Sequence, residues 1–265
     1  MNSNRCILAV LALTALVVAD SLAAQGWGGR RGPPPEVKER WGNYFTTIDL
    51  PDGGQEVKEL KNTDHVTDAA SAGHLSVIYL YDSTAAPKKQ ETFEPVLFNH
   101  AKIQPGLRLY KCGRFDLSTN RLARERYGKI APLFFVFDKK GKSIGRVSMK
   151  GFKPAPVPLA RLLQLGSKGY SRVSFDNWVK SYSKWLRDLT NMDARQKALD
   201  DKRDRLDSNK ASDRKKLAKV TKDEDKLRKR RDAHYDGETK LLERAKIPPR
   251  DADAVLVGER RRRGR

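Results

Sequence analysis

No proline or glycine interrupts residues 173–236, and nearly half of the surrounding stretch is charged, with 29 basic and 18 acidic residues in positions 171–265. A run of that length without a breaker, rich in Lys and Arg with Leu and Ala among them, has one low-energy regular form, the α-helix. One heptad column runs through it: Trp178, Trp185, Met192, Leu199, Leu206, Asp213, Val220, Leu227, His234 and Leu241, eight of them apolar. The companion column (Tyr182, Leu189, Gln196, Arg203, Lys210, Leu217, Glu224, Arg231, Glu238) is mostly polar after its first two members. A stripe this narrow reads as a coiled-coil seam and not as the face of a globular core. Two arrangements fit. The chain folds back near Ser208, Asn209 and Ser212 as an antiparallel hairpin, or it continues as one helix that pairs with a second chain. The unbroken heptad phase speaks for the continuous helix, and its length of ~100 Å at 1.5 Å per residue speaks against it in a monomer. In either case the tryptophan end carries the largest apolar surface and is expected to pack on the preceding domain.

That domain alternates strand and helix. Leu75-Ser76-Val77-Ile78-Tyr79-Leu80-Tyr81 has the β-branched and aromatic content of a buried strand, as does Leu133-Phe134-Phe135-Val136-Phe137. Residues 107–115 read as a further strand, opened by a turn at Gln104-Pro105-Gly106, and residues 143–149 pair with the 133–137 strand through the turn Asp138-Lys139-Lys140-Gly141. Phe93, Val96, Leu97 and His100 fall at helical spacing within 90–100. Residues 118–127 read as a helix capped by Ser118 or Thr119, and 156–165 as one with Leu159, Leu162 and Leu163 on one face. Residues 36–68 carry weak signals: an apolar run over 44–50, then the turn Pro51-Asp52-Gly53-Gly54. The order strand, helix, strand, helix, strand, strand, helix predicts an α/β domain built on a mixed sheet flanked by helices, followed by the long helix or hairpin.

Three local features within residues 66–165 together resemble the thioredoxin-like family. The first strand is followed by Asp82-Ser83-Thr84-Ala85-Ala86-Pro87-Lys88-Lys89, where that family carries its Cys-Gly-Pro-Cys-Lys turn. Tyr127-Gly128-Lys129-Ile130-Ala131-Pro132-Leu133 is similar to its Tyr-Gly segment, cis-proline and following strand. The hairpin around residues 138–147 is similar to its last two strands. The resemblance implies a disulfide oxidoreductase, yet the expected cysteine positions hold Ala85 and Lys88, with Ala86 and Pro87 between them. Without a thiolate at that turn, thiol–disulfide exchange is excluded there. Ala131 and Pro132 then either preserve a peptide-binding groove without catalysis or merely shape a loop.

Other chemistry is scarce. Cys112 lies in the second strand beside Lys111 and Arg114, so it is either a small buried hydrophobe or a single redox-active thiol. His65, His74, His100 and His234 show no metal-ligand spacing, and there is no phosphate-cradling glycine loop and no Gly-x-Ser-x-Gly elbow. No cofactor or metal is expected.

The ends of the chain set its expected surroundings. Arg5, the apolar run 6–19 and the small residues around Ala23 and Ala24 have the pattern of a secretory signal peptide over residues 1–24, the alternative being a retained anchor. Residues 25–35 read as a Gly/Pro-rich linker, 36–170 as the α/β domain with an N-terminal extension, 171–247 as the charged coiled-coil region and 248–265 as a basic tail. Cleavage would leave Cys112 as the one cysteine of a secreted or periplasmic chain, with no intramolecular disulfide. The net charge of +21 is spread over both halves, so it does not mark one nucleic-acid face. Its concentrated part is Arg260, Arg261, Arg262, Arg263 and Arg265, which suit an anionic surface or polyanion without sequence-specific readout. The resulting expectation is a non-catalytic binding or scaffolding protein that self-associates or meets a protein partner through its coiled coil. The rivals are redox chemistry at Cys112 and polyanion binding as the main role.

Overall fold

The computed structural model describes residues 40–50 and 55–247; the signal-peptide, linker, 51–54 turn and arginine-tail readings lie outside the described residues. The described residues form a five-stranded mixed sheet flanked by helices, followed by two long helices, all within one compact unit. The strands are β1 (Phe45–Thr47), β2 (Leu75–Tyr81), β3 (Tyr110–Asp116), β4 (Leu133–Phe137) and β5 (Ser143–Ser148), in the order β1-β3-β2-β4-β5. The β-branched, aromatic-rich β2 is central, parallel to β3 and antiparallel to β4, and β4 pairs antiparallel with β5 through the Asp138–Gly141 turn. There Asp138 accepts from the backbone N–H groups of Lys140 and Lys142, and Gly141 takes φ 72°, open to glycine at no steric cost.

Strand alternation sends Val77, Tyr79, Phe134 and Val136 to one face and Ile78, Leu80, Leu133 and Phe137 to the other. The first face meets α2 (Pro87–Phe98), α4 (Pro156–Gly166) and the first of the long helices, α5 (Phe175–Asp204). Its aromatic centre stacks Tyr79 on Phe134 at 4.5 Å, with the ring of Phe98 edge-on to both. The second face is covered by α1 (Asp64–Ser71), α3 (Arg121–Tyr127) and a short turn at Leu60–Asn62.

Several expectations are corrected. Gln104-Pro105-Gly106 is not a bend opening a strand but part of a one-turn helix, Ile103–Leu107, and β3 begins at Tyr110. Pro105 sits in its first turn, where a missing N–H costs nothing. Gly106 lets that turn nest inward: an added Cβ would stand 3.0 Å from Leu163 Cδ1 and 3.1 Å from Phe175 Cζ. The cap of α3 is Asn120, not Ser118 or Thr119; its side chain accepts from Ala123 N, while residues 117–119 form a separate 3-10 turn capped by Asp116. Helix α2 begins at Pro87 and ends at Phe98, earlier at both ends than the 90–100 spacing suggests, because Pro87 is preset for a first helical position.

The C-terminal third is a hairpin. Helix α5 ends at Asp204, residues 205–210 turn, and α6 spans Ala211–Ala245. Trp185 Nε1 donates to His234 O, Tyr182 donates to Glu238, and Arg231 pairs with Asp193, so the two helices run antiparallel. The first half of α5 is broader than a seam: Phe175, Trp178, Val179, Tyr182, Trp185, Leu186 and Leu189 are all buried, most of them in the core of the first sheet face. Trp178 Nε1 donates to Pro105 O at 2.8 Å, which places the tryptophan end on the α/β layer as expected. Between them lies a buried polar clamp, in which Arg108 and Tyr182 both donate to Glu238 Oε1, at 3.2 and 2.7 Å. No described helix is long and apolar enough to cross a membrane.

Candidate functional site

The turn singled out by the resemblance leaves the sheet at the end of β2. Pairing of Tyr81 with Asp116 and of Leu80 with Leu133 places that end of β2 beside the end of β3 and the start of β4. The cis Ala131–Pro132 bond precedes β4, so the degenerate turn and the proline loop share one end of the sheet.

Asp82 organises the turn. Its buried carboxylate accepts from Thr84 Oγ1 at 2.7 Å, Thr84 N at 3.0 Å and Ala85 N at 3.1 Å through Oδ1, and pairs through Oδ2 with Arg124 Nε at 2.9 Å. Arg124 also donates to Thr84 Oγ1 at 3.0 Å. Asp116 braces the turn from β3 by accepting from Ser83 N and Ser118 N at 3.1 and 3.0 Å. Burial works to raise the Asp116 carboxyl, but hydrogen bonds from Ser83 and Ser118 outweigh it and hold the group below its ordinary range. These braces escaped the sequence reading, although an Asp-Ser-Thr run directly after a strand is the signature of an Asx turn.

The braced turn presents little chemistry. Ala85, Pro87 and Lys88 are exposed and Ala86 is half-buried, whereas Pro132 is buried and Ala131 half-buried. The Pro132 carbonyl accepts from Met149 N at 2.7 Å, tying the loop to the end of β5. Beyond β5 the chain takes left-handed backbone at Gly151 (φ 72°) and Phe152 (φ 59°), and the Phe152 ring packs edge-on against Phe93 of α2 at 5.9 Å. A methyl group, a pyrrolidine and a solvated ammonium offer no nucleophile or general base, and Asp82 and Asp116 are committed to backbone N–H groups and, for Asp82, to Arg124.

Cys112 is not brought to this end. It faces Val77 and Phe45 in the middle of the sheet, four residues from Asp116, or ~13 Å at ~3.3 Å per residue. Its side chain is buried with the residue at 1% exposure, and Sγ lies 3.3 Å from Tyr110 O and 3.5 Å from Leu107 O. The histidines bond locally. His65 Nε2–H donates to Lys111 O, and burial lowers its basicity despite that bond. His100 Nδ1 accepts from Lys102 N, and His234 stacks on Trp185 at 4.8 Å. Among the described residues, no group of three or more His, Cys, Asp or Glu is placed to hold a metal ion. The chain matches no family model, no curated protein and no solved structure.

Proposed function

We propose that the chain is a secreted or periplasmic thioredoxin-like protein without dithiol chemistry, acting as a binding or scaffolding module. The observation that carries this reading is an exposed, rigidly braced turn at Ala85–Lys88 that opens a helix beside a cis-proline and bears no thiol. The strand order β1-β3-β2-β4-β5, with β4 alone antiparallel to the other four strands, supports the thioredoxin-like part. Most of the apolar column of the helical hairpin is spent within the chain, so partner contact falls to the hairpin's charged outer faces and to Arg260–263 and Arg265. Single-thiol chemistry at Cys112 finds no support in a side chain sealed inside the sheet.

Two measurements on the native protein test the reading. Alkylation mapped by mass to Cys112 should require unfolding; rapid native labelling would overturn the non-catalytic assignment. The double variant Ala85→Cys/Lys88→Cys should close a reversible disulfide and acquire disulfide-reductase activity, because its Cα atoms would then stand within the ~4.4–6.8 Å that a disulfide spans. A double variant that stays reduced under oxidising conditions would overturn the thioredoxin-like turn.

A further inference from the structure

The second sheet face is not covered to its edge. Beyond α3, above β4 and β5, lies an open cleft of about 560 Å³, whose lining includes Lys58, Lys61, Arg126 and Arg146 but a single carboxylate, Glu59. Its floor includes Phe135, a half-buried ring directly opposite Arg146 in the β4–β5 register, stacked near Phe137 and edge-on to Tyr127 at 5.9 Å. The size is that of a small-molecule site.

Its walls are set in advance. Arg126 donates to Lys58 O at 3.1 Å and to Tyr127 Oη at 3.2 Å, and the Tyr127 hydroxyl donates to Val57 O at 3.0 Å. These bonds fasten the 57–61 segment to α3, so little ordering is left for a ligand to impose. Two of the five guanidinium N–H groups of Arg126 are used in this way, and the others remain for a ligand. Lys61 holds Glu59 at 3.1 Å, and the hydrogen bond and charge of Lys61 keep that carboxyl below its ordinary range. Among the described residues, the side chains of Lys58 and Arg146 have no carboxylate partner.

Four cations facing one carboxylate repel one another, and a ligand with at least two negative charges relieves that repulsion. Two guanidinium forks match tetrahedral oxyanions, and a partly exposed phenyl ring offers apolar surface for a ring to rest on. We infer that this cleft binds a small organic anion of at least two negative charges, a phosphate ester or a multiply sulfated sugar, with the anionic groups among Lys58, Lys61, Arg126 and Arg146 and the ring against Phe135. The site lies on the sheet face opposite α2 and does not depend on the Ala85–Lys88 turn.

The test titrates the full chain calorimetrically with pyrophosphate, a nucleoside diphosphate and a sulfated disaccharide; whichever ring-bearing ester binds more tightly identifies the source. Lys61→Gln/Arg146→Gln, at exposed positions, should weaken that ester at least tenfold and flatten its salt dependence. Glu59→Gln should tighten it severalfold by removing the opposing charge and releasing Lys61. Phe135→Leu should bring the ring-bearing ester down to the affinity of pyrophosphate. Failure of all three ligands to bind overturns the site. So does binding that survives the double substitution but disappears when residues 260–265 are removed, which would move it to the tail. Equal effects of Phe135→Leu on pyrophosphate and on the ring-bearing ester would refute the ring contact.

Discussion

Replacing Glu238 by Ala is the most demanding test of how the helical hairpin is held. Arg108 and Glu238 are 5% and 7% exposed in their side chains, and a single carboxylate oxygen receives both the Arg108 guanidinium and the Tyr182 hydroxyl. Tyr182 Oη in turn lies 3.2 Å from Tyr44 Oη, so the carboxylate anchors a chain that reaches from α6 across α5 to the start of β1. Removing one partner of such a buried pair costs ~3–5 kcal/mol, because the remaining charge stays desolvated. With a urea dependence of ~2 kcal/mol per molar, that corresponds to a midpoint lower by ~1.5–2.5 M. Replacing both charges, as in Arg108→Met/Glu238→Leu, removes the buried charge altogether and should restore stability to the parent level or above it. Trp178 and Trp185 flank the clamp, so in a Trp27→Phe/Trp41→Phe background tryptophan fluorescence reports the hairpin while far-UV circular dichroism reports the whole chain. The two signals should move together in every variant. A Glu238→Ala protein within ~1 kcal/mol of the parent, or a double variant as damaged as the single one, would refute the clamp. Separate transitions by the two probes would refute a hairpin that is one cooperative unit with the sheet.

Gly113→Ala should lower stability by ~1–3 kcal/mol, since the new methyl would stand 2.9 Å from Ile48 Cγ2 and 3.0 Å from His65 Nε2 in a packed layer. A thermal melt unchanged from the parent would show that this layer yields freely. Acid should weaken the fold in two steps, both read from urea midpoints across pH. Burial holds His65 below its ordinary value of 6.5, so the unfolded chain protonates first and stability falls as pH drops below that value until the folded group titrates. Asp116, held below 3.8, adds a second loss as pH falls below that value. His65→Gln should reduce the upper step and leave the lower one, the remainder of the upper step falling to His100, which burial also holds below 6.5; an unchanged slope would refute the His65 share.

Legibility in the sequence followed the strength of local apolar signals. Strands β2 and β4 are unbroken runs of large or branched residues, and they were readable because both their faces are buried. Helix α1 was not, since its buried side is only His65, Val66 and Ala69, too small and too polar to mark a face. The one-turn helix at Ile103–Leu107 was masked by Pro105-Gly106, a pair that signals a turn locally and is helical here because α4 and α5 press on it. In the hairpin the heptad phase crosses the break because Leu206 and Asp213 are seven positions apart. Neither belongs to the buried column: Leu206 lies in the turn, and Asp213 bonds to Lys216 in the first turn of α6. The width of the buried face on α5 was hidden for a different reason. Val179 and Leu186 lie outside both heptad columns, and only contact with a sheet layer in addition to a partner helix explains their burial. At the candidate site the absent thiols were visible at once. The cleft over β4 and β5 was not, because its cations come from three separate segments, 58–61, α3 and β5, that only the fold brings together.

The inward placement of α5 and of the end of α6 has a consequence for the order of synthesis. Ala245 and Ile247 belong to the same core as Leu75 and Val77, and the Arg172 amide is closed by the carbonyl of Ala245. A nascent chain that has released the sheet but not residues 245–247 therefore still has an open hydrophobic layer, however complete its strands are. Folding is finished only after that segment emerges, so the polypeptide stays in a partly open, chaperone-accessible form through most of its elongation.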